Sequence, residues 1–254
     1  MYIMVDSFSL PKAGNSDEEY EDACSPAETC VYNDVDVFNF AVADGATETS
    51  FSGLWAKLLV SEYCAGQLAT AKKISKSLPK LQTQWYEQVN TKSLPWFAEE
   101  KLRSGAFSSI LGLTVKSASS GENDALRWQA IAIGDSCFFQ VRRDTLITSF
   151  PFSHSKQFNN RPSLLSSNPA YNADIEKYAI QKKGLLNLND IFYLMTDALA
   201  CWFLNAIECK EKPWEALRDL GTDAAAPFPD WIGQLREKCQ IRNDDVTLLR
   251  VHVM

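Results

Sequence analysis

The chain has 254 residues, 46% of them hydrophobic and 22% charged, enough apolar side chain for one large domain around a continuous core. Seven Trp and fourteen Phe exclude a disordered chain, because disorder goes with few aromatics. A formal charge of −7 argues against a nucleic-acid binder, which needs a basic face, and no run of about 18 apolar residues predicts a membrane span.

The opening stretch, MYIMVDSFSLPKAGNSDEEYED, lacks a basic leader and a long apolar run, so no signal peptide is expected and a cytoplasmic location is. The seven cysteines include no CxxC pair, and His154 and His252 are the two histidines. Thiolate–imidazole zinc is therefore not expected, and the cysteines read as scattered buried thiols in a reducing compartment.

In chain order, residues 13–30 are acidic and loop-like, with Glu18, Glu19, Glu21 and Asp22 close together. The apolar run VFNFAVA (37–43) predicts a buried strand that stops at the turn pair Asp44-Gly45. Thr49 or Ser52 is a candidate cap for a helix from about Leu54 to Ala71, with Leu54, Leu58, Leu59 and Tyr63 on one face. A second helix is expected from Leu78 to Arg103, with a possible break at Pro95.

After Gly105 the pattern turns to strands. Ala106–Lys116 and Leu126–Ile133 read as a hairpin with a long polar loop, SASSGENDA. The turn Gly134-Asp135-Ser136 leads to strands at Cys137–Arg142 and Leu146–Ser149. The stretch from Pro151 to Tyr171 has the composition of a flap, which is placed at about 151–185. A buried strand from Asp190 to Thr196 ends at Asp197, with helices expected through Ala206 and over Trp231–Cys239. The last strand, Val246–Val253, follows Asp244-Asp245. Strands in succession without helical crossovers, with helices grouped between them, predict an α+β layered domain of antiparallel sheets over the whole of 1–254.

The chemistry lies where three apolar strands meet aspartates: FAVADG at Asp44, YLMTD at Asp197 and DDVTLLRV at Asp244. A carboxylate beside a buried strand is costly unless a positive charge holds it there. No Lys or Arg stands immediately beside any of the three, so a divalent cation is the economical partner. Oxygen ligands with hardly any histidine select Mg²⁺ or Mn²⁺. Such ions acidify a bound water and stabilise phosphoryl charge without a covalent nucleophile, and no GxSxG elbow or Cys-His pair competes with that reading.

Taken in order, NSDEEYEDA (15–23), FAVADG (40–45), AIGDS (132–136), FYLMTD (192–197) and RNDDVTLL (242–249) resemble the successive motifs of the PP2C (PPM) family of metal-dependent phosphatases. The resemblance runs from about residue 12 to 251 and implies a sandwich of two antiparallel sheets flanked by helices. It implies hydrolysis of phosphoserine or phosphothreonine by attack of a metal-bridging water or hydroxide. The cofactors implied are two Mn²⁺ or Mg²⁺ ions, with Asp135 beside a third, weaker one. Metal ligation would fall to Glu21 (through a water), Asp22, Asp44, the Gly45 carbonyl, Asp197 and Asp244, with Asp44, Asp197 and Asp244 carrying catalysis.

The implied partners are a phosphorylated protein substrate and a separate regulatory partner or cognate kinase, with no nucleic acid and no membrane. The sequence departs from the family pattern where Asp17 replaces a phosphate-contacting arginine and Ala46-Thr47-Glu48-Thr49 replaces a glycine or histidine after Asp-Gly. Cys137 and Ala198 are further departures, next to Ser136 and Asp197. Lys12 or Arg161 could supply the missing phosphate contact, and His154 is a further candidate for a catalytic role. These departures also suit a pseudophosphatase or sensor module that keeps the fold to bind a phosphorylated partner. A hydrolase of small phosphorylated molecules is a third reading.

Overall fold

The computed structural model describes residues 2–33, 36–47, 49–90, 104–116, 126–159, 161–222 and 226–254. Two antiparallel sheets pack face to face. The six-stranded sheet has the order β3-β1-β13-β12-β8-β9, built from Cys30–Asn33, Tyr2–Leu10, Val246–Val253, Ile191–Met195, Cys137–Arg142 and Thr145–Phe150. The five-stranded sheet has the order β11-β7-β6-β4-β2, from Ile180–Leu185, Arg127–Ile133, Ile110–Lys116, Val37–Ala43 and Ala23–Ser25. A two-stranded ribbon joins β5 (Phe107–Ser108) to β10 (Leu165–Ser166). The helices are α1 (Ser52–Cys64), α2 (Ala71–Asn90), α3 (Ile175–Tyr178), α4 (Asp197–Glu208), α5 (Pro213–Asp219) and α6 (Phe228–Glu237).

The central strands are apolar on both faces because each face has a layer to cover it. In β4, Phe38, Phe40 and Val42 point between the sheets, while Ala41 and Ala43 pack under α1 with Trp55 and Leu59. In β12, Phe192 and Leu194 enter the inter-sheet core, and Tyr193 and Met195 meet Phe203 of α4 and Trp214 of α5. Period-two alternation thus sorts each strand into two cores, which yields four layers from helix to helix. The small residue Gly112 lets α1 approach β6, since a Cβ there would lie 2.0 Å from the Tyr63 ring.

Several expected elements differ in extent. The first helix ends at Cys64 rather than Ala71, and its N-cap is Phe51 in the left-handed region rather than a capping Thr49 or Ser52. The second begins earlier, at Ala71, and carries Pro79 within it; the expected break at Pro95 and the SASSGENDA loop lie outside the described residues. The N-terminal strand β1 is a full member of the larger sheet, paired along its length with β13. The C-terminal part of the expected flap is instead strand β11, which hydrogen-bonds to β7 at the sheet edge. All seven cysteines are free thiols, but Cys137 alone is fully buried, with Cys209 and Cys239 exposed. Among the described residues no helix is long and apolar enough to cross a membrane.

Candidate metal centre

Strand register brings the aspartates together. Met195 at the end of β12 lies opposite Leu248 near the start of β13 and opposite Cys137 at the start of β8. In the other sheet, Val42 near the end of β4 pairs with Leu111, and Ile110 with Ile133 at the end of β7. Asp44, Asp135, Asp197 and Asp244 each flank one of these strand ends, so they converge at one end of the sandwich although 200 residues separate the first from the last.

Each is held by its own local structure. The Asp44 N–H donates to Ser109 Oγ at 3.0 Å, and its carbonyl accepts the Ser109 N–H at 2.9 Å. Gly45 follows because the acidic loop passes directly over it: a Cβ there would lie 2.6 Å from the Glu21 carbonyl oxygen and 2.9 Å from the Ser52 backbone. Asp135 sits in the crossing from β7 to β8, beside Gly134 at φ +104°, where a Cβ would meet Ser109 at 2.5 Å. Ser109 Oγ in turn shares a 2.8 Å hydrogen bond with Ser136 Oγ, which ties the Asp44 and Asp135 turns together. Asp197 occupies the first turn of α4, where the helix dipole favours a carboxylate. The Asp244 backbone is fixed by Arg236 Nη2, which donates to its carbonyl at 2.7 Å.

Carboxylate oxygens of Asp44, Asp135 and Asp197 all lie within 4.8 Å of one another. These three and Asp244 form the floor of a cleft of about 540 Å³ that Gly45, Thr47, Arg161 and Arg242 also line. Burial and the crowding of like charge push the carboxyls of Asp44, Asp135 and Asp244 up. Asp44 is raised well above the usual carboxylate range by burial and by Asp22, Asp197, Asp135 and Asp244. Asp135 is pushed up to about 7 by burial and by Asp197. Asp244 is raised by burial and then by Asp197.

The remaining acidic residues surround this floor. Asp22 is 1% exposed, and its Oδ2 accepts from Thr247 Oγ1 at 2.8 Å; burial raises its carboxyl. Glu21 accepts from Ser52 Oγ and lines a neighbouring cleft of about 770 Å³, which also holds Lys12 and shares Thr47 and Thr49 with the first. The structure does not bring Lys12 into the aspartate cleft, whereas Arg161 is in it. Asp17 is exposed on a 3₁₀ turn. His154 is also exposed, 3.6 Å from Glu208 and outside the cleft.

Sequence reading missed Arg242. Its Nη2 donates to Asp197 Oδ2, so one of the aspartates does have a cationic neighbour. The residue lies two positions before Asp244, inside the turn that carries the aspartate pair, and the Asp244 N–H donates to its carbonyl at 3.1 Å. A search of that turn for basic residues, rather than of adjacent positions alone, would have found it.

The donor set fits hard divalent ions. The cleft floor offers carboxylate oxygens, with no histidine or cysteine lining it among the described residues. Carboxylates this close, partly or fully buried, need cations or protons to coexist. Two guanidiniums are too few for four carboxylates.

The family pattern of protein phosphatase 2C matches residues 13–232. Among solved structures, the chain resembles the catalytic domain of the serine/threonine phosphatase PstP in complex with two manganese ions, at 14% identity and TM-score 0.57, with both chains covered in full. It also resembles PppA, a regulatory component of the type VI secretion system of Pseudomonas aeruginosa (15% identity, TM-score 0.54, 100% of this chain and 99% of that one). A serine/threonine phosphatase of S. agalactiae is similar at 14% identity and TM-score 0.56, over 99% of this chain and 100% of that one. At these identities the likeness carries the fold. No curated protein matches the sequence. The family match spans most of the chain and the fold agrees with it: this chain belongs to the protein phosphatase 2C family.

Proposed function

We propose that the chain is a metal-dependent phosphatase acting on phosphoserine or phosphothreonine of proteins. The observation that carries this reading is the convergence of Asp44, Asp135 and Asp197, their carboxylate oxygens within 4.8 Å of one another, at the floor of an open cleft.

Asp44, Asp135, Asp197 and Asp244 would hold divalent ions, with the Gly45 carbonyl beside them and Glu21 and Asp22 behind. When bound, the ions supply Lewis-acid stabilisation of phosphoryl charge and acidify water near neutral pH. The chain's own residues do the rest. Arg161, on the flap side of the cleft, orients the phosphoryl group by charge and by its planar fork. The Gly45 turn, pinned between Glu21 and Ser52, keeps Asp44 aimed into the cleft. No histidine lines the cleft among the described residues, so protonation of the leaving alkoxide falls to water.

Beyond Phe107, Pro162 and Leu164 the cleft continues into a groove of about 340 Å³ that includes Tyr171 and Tyr178. An extended peptide would have room there on one side of its phosphorylated residue, which favours a protein substrate over a small phosphomonoester.

The test is hydrolysis of p-nitrophenyl phosphate and a phosphothreonine peptide with Mn²⁺, Mg²⁺ or EDTA, beside Asp44→Asn and Asp197→Asn. Metal-dependent turnover lost in both variants is expected. Absence of turnover from folded, metal-loaded protein would instead assign a phosphoprotein-binding pseudophosphatase.

A further inference from the structure

The arginines of this fold differ in how their donors are spent. Arg142 gives Nε and Nη2 to Asp190, and Nη2 also reaches the Leu185 carbonyl. Arg250 gives Nε to Asp6 and Nη1 to the carbonyls of Leu217 and Arg218. Arg236 uses Nη2 on the carbonyls of Pro11 and Asp244. These three are struts tied to acceptors in the scaffold, although Arg236 Nε is buried without a partner among the described residues.

Arg242 is different. Its side chain is 49% exposed, and its one hydrogen bond among the described residues runs from Nη2 to Asp197. A guanidinium carries five N–H donors, so most of this fork has no protein acceptor among the described residues, on a side chain that lines the aspartate cleft and a neighbouring one beside Trp202. Its position is also central, because Asp197 is one of the three aspartates whose oxygens lie within 4.8 Å of one another. Any phosphoryl group held over that cluster comes within reach of it.

Charge points the same way. The carboxylates of the cleft would be neutralised by divalent ions, which leaves Arg161 and Arg242 as the cationic side chains lining it. A phosphomonoester near neutral pH carries about −1.5 to −2.

We propose that Arg242 is a phosphate-binding residue of the cleft, forming with Arg161 a pair of guanidiniums that hold the phosphoryl oxygens. Its contact with Asp197 is then the resting position of a side chain that shares its fork with the incoming anion. The proposal rests on the phosphatase reading above and names the groups that take the anion.

The experiment is calorimetric titration of inorganic phosphate into the Mn²⁺-loaded chain, Arg242→Ala and Arg242→Lys, with a separate Mn²⁺ titration of each. The alanine variant is expected to bind phosphate on the order of tenfold to a hundredfold more weakly, the loss of charge-assisted hydrogen bonds. Its Mn²⁺ affinity should be unchanged or higher, since a competing cation has left Asp197. Lysine should recover part of the phosphate affinity, because it restores the charge but not the fork. Arg161→Ala should add a further loss in combination.

Phosphate binding that survives Arg242→Ala undiminished overturns the proposal. A joint loss of Mn²⁺ and phosphate in both variants also overturns it, since Arg242 would then only position Asp197. Loaded wild-type protein that takes up no phosphate is equally fatal. The guanidinium pair and the hydrolase fail separately. Arg242-dependent phosphate binding without turnover removes the hydrolase alone, and turnover whose KM ignores Arg242→Ala removes the pair alone.

Discussion

The carboxylate of Asp245 accepts the backbone N–H of Glu21 at 2.7 Å, across 224 positions of sequence. Its other oxygen takes the backbone N–H of Lys12 at 2.8 Å. One side chain thus fastens both ends of the acidic loop to the turn before β13. The two aspartates of that turn divide the work: Asp244 lines the cleft floor, and Asp245 holds the loop that passes over Gly45.

Asp245→Ala should therefore destabilise the fold by about 2 kcal/mol or more, since two backbone donors lose a charged acceptor. For a chain of this size that is a fall in Tm of roughly 4–8 °C. Asp245→Asn keeps one acceptor oxygen and should lose less. Thermal unfolding of the two variants checks this, and equal, negligible shifts would contradict it.

Gly45→Ala should cost about 1–3 kcal/mol, the usual range for overpacking, because its Cβ would meet backbone at 2.6 Å rather than a movable side chain. The strain falls on the residue next to Asp44, so Mn²⁺ affinity should drop with stability. Calorimetric Mn²⁺ titration of the folded variant is the measurement; wild-type affinity would mean that the loop yields freely.

Metal should stabilise the protein measurably. At an ion concentration a hundred times its Kd, mass action adds about 2.7 kcal/mol, or roughly 5–10 °C in Tm. Asp44→Asn and Asp197→Asn should remove most of that shift; the metal-free Tm should be equal or higher for Asp44→Asn, whose carboxyl is crowded by like charge, but not for Asp197→Asn, which gives up its ion pair with Arg242. Differential scanning calorimetry with Mn²⁺ and with EDTA reads both.

The pH dependence follows from the direction of the shifts. Asp135 is raised to about 7, and Asp22, Asp44 and Asp244 are raised as well. Between the unfolded value near 3.8 and the raised native value, the native state holds more protons than the unfolded chain. Stability of the metal-free protein then falls as pH rises through that window. Metal-free protein should melt higher at about pH 5.5 than at about pH 8. Saturating Mn²⁺ should reverse the order, because the ions bind the deprotonated carboxylates and lose affinity as acid returns the protons. A metal-free Tm that climbs steadily toward alkaline pH would contradict the repulsion.

Much of the scaffold was readable in the sequence. Runs such as VFNFAVA, IFYLM and VTLLRVHV appear as strands because a strand covered on both faces is predominantly apolar. The aspartates ending them mark the chemistry because a carboxylate at such a place needs a cation. Strand β1 escaped notice: YIMVDSFSL mixes polar and apolar residues, and only Ile3 and Val5 are buried outright. Strand β11 has hardly any buried side chain and exists through its ladder to β7, which no local pattern announces.

The sequence by itself determined the α+β class, the order of the motifs and the aspartates that carry them, since burial of whole strands writes itself into composition. Tertiary structure alone decided which charges meet. It put Arg161 into the cleft and Lys12 outside it, left His154 at the surface beside Glu208, and laid Arg242 on Asp197. A long side chain on a turn has no periodicity to betray its direction. Where its charge goes is set by register and turn geometry acting over distances that local sequence does not encode.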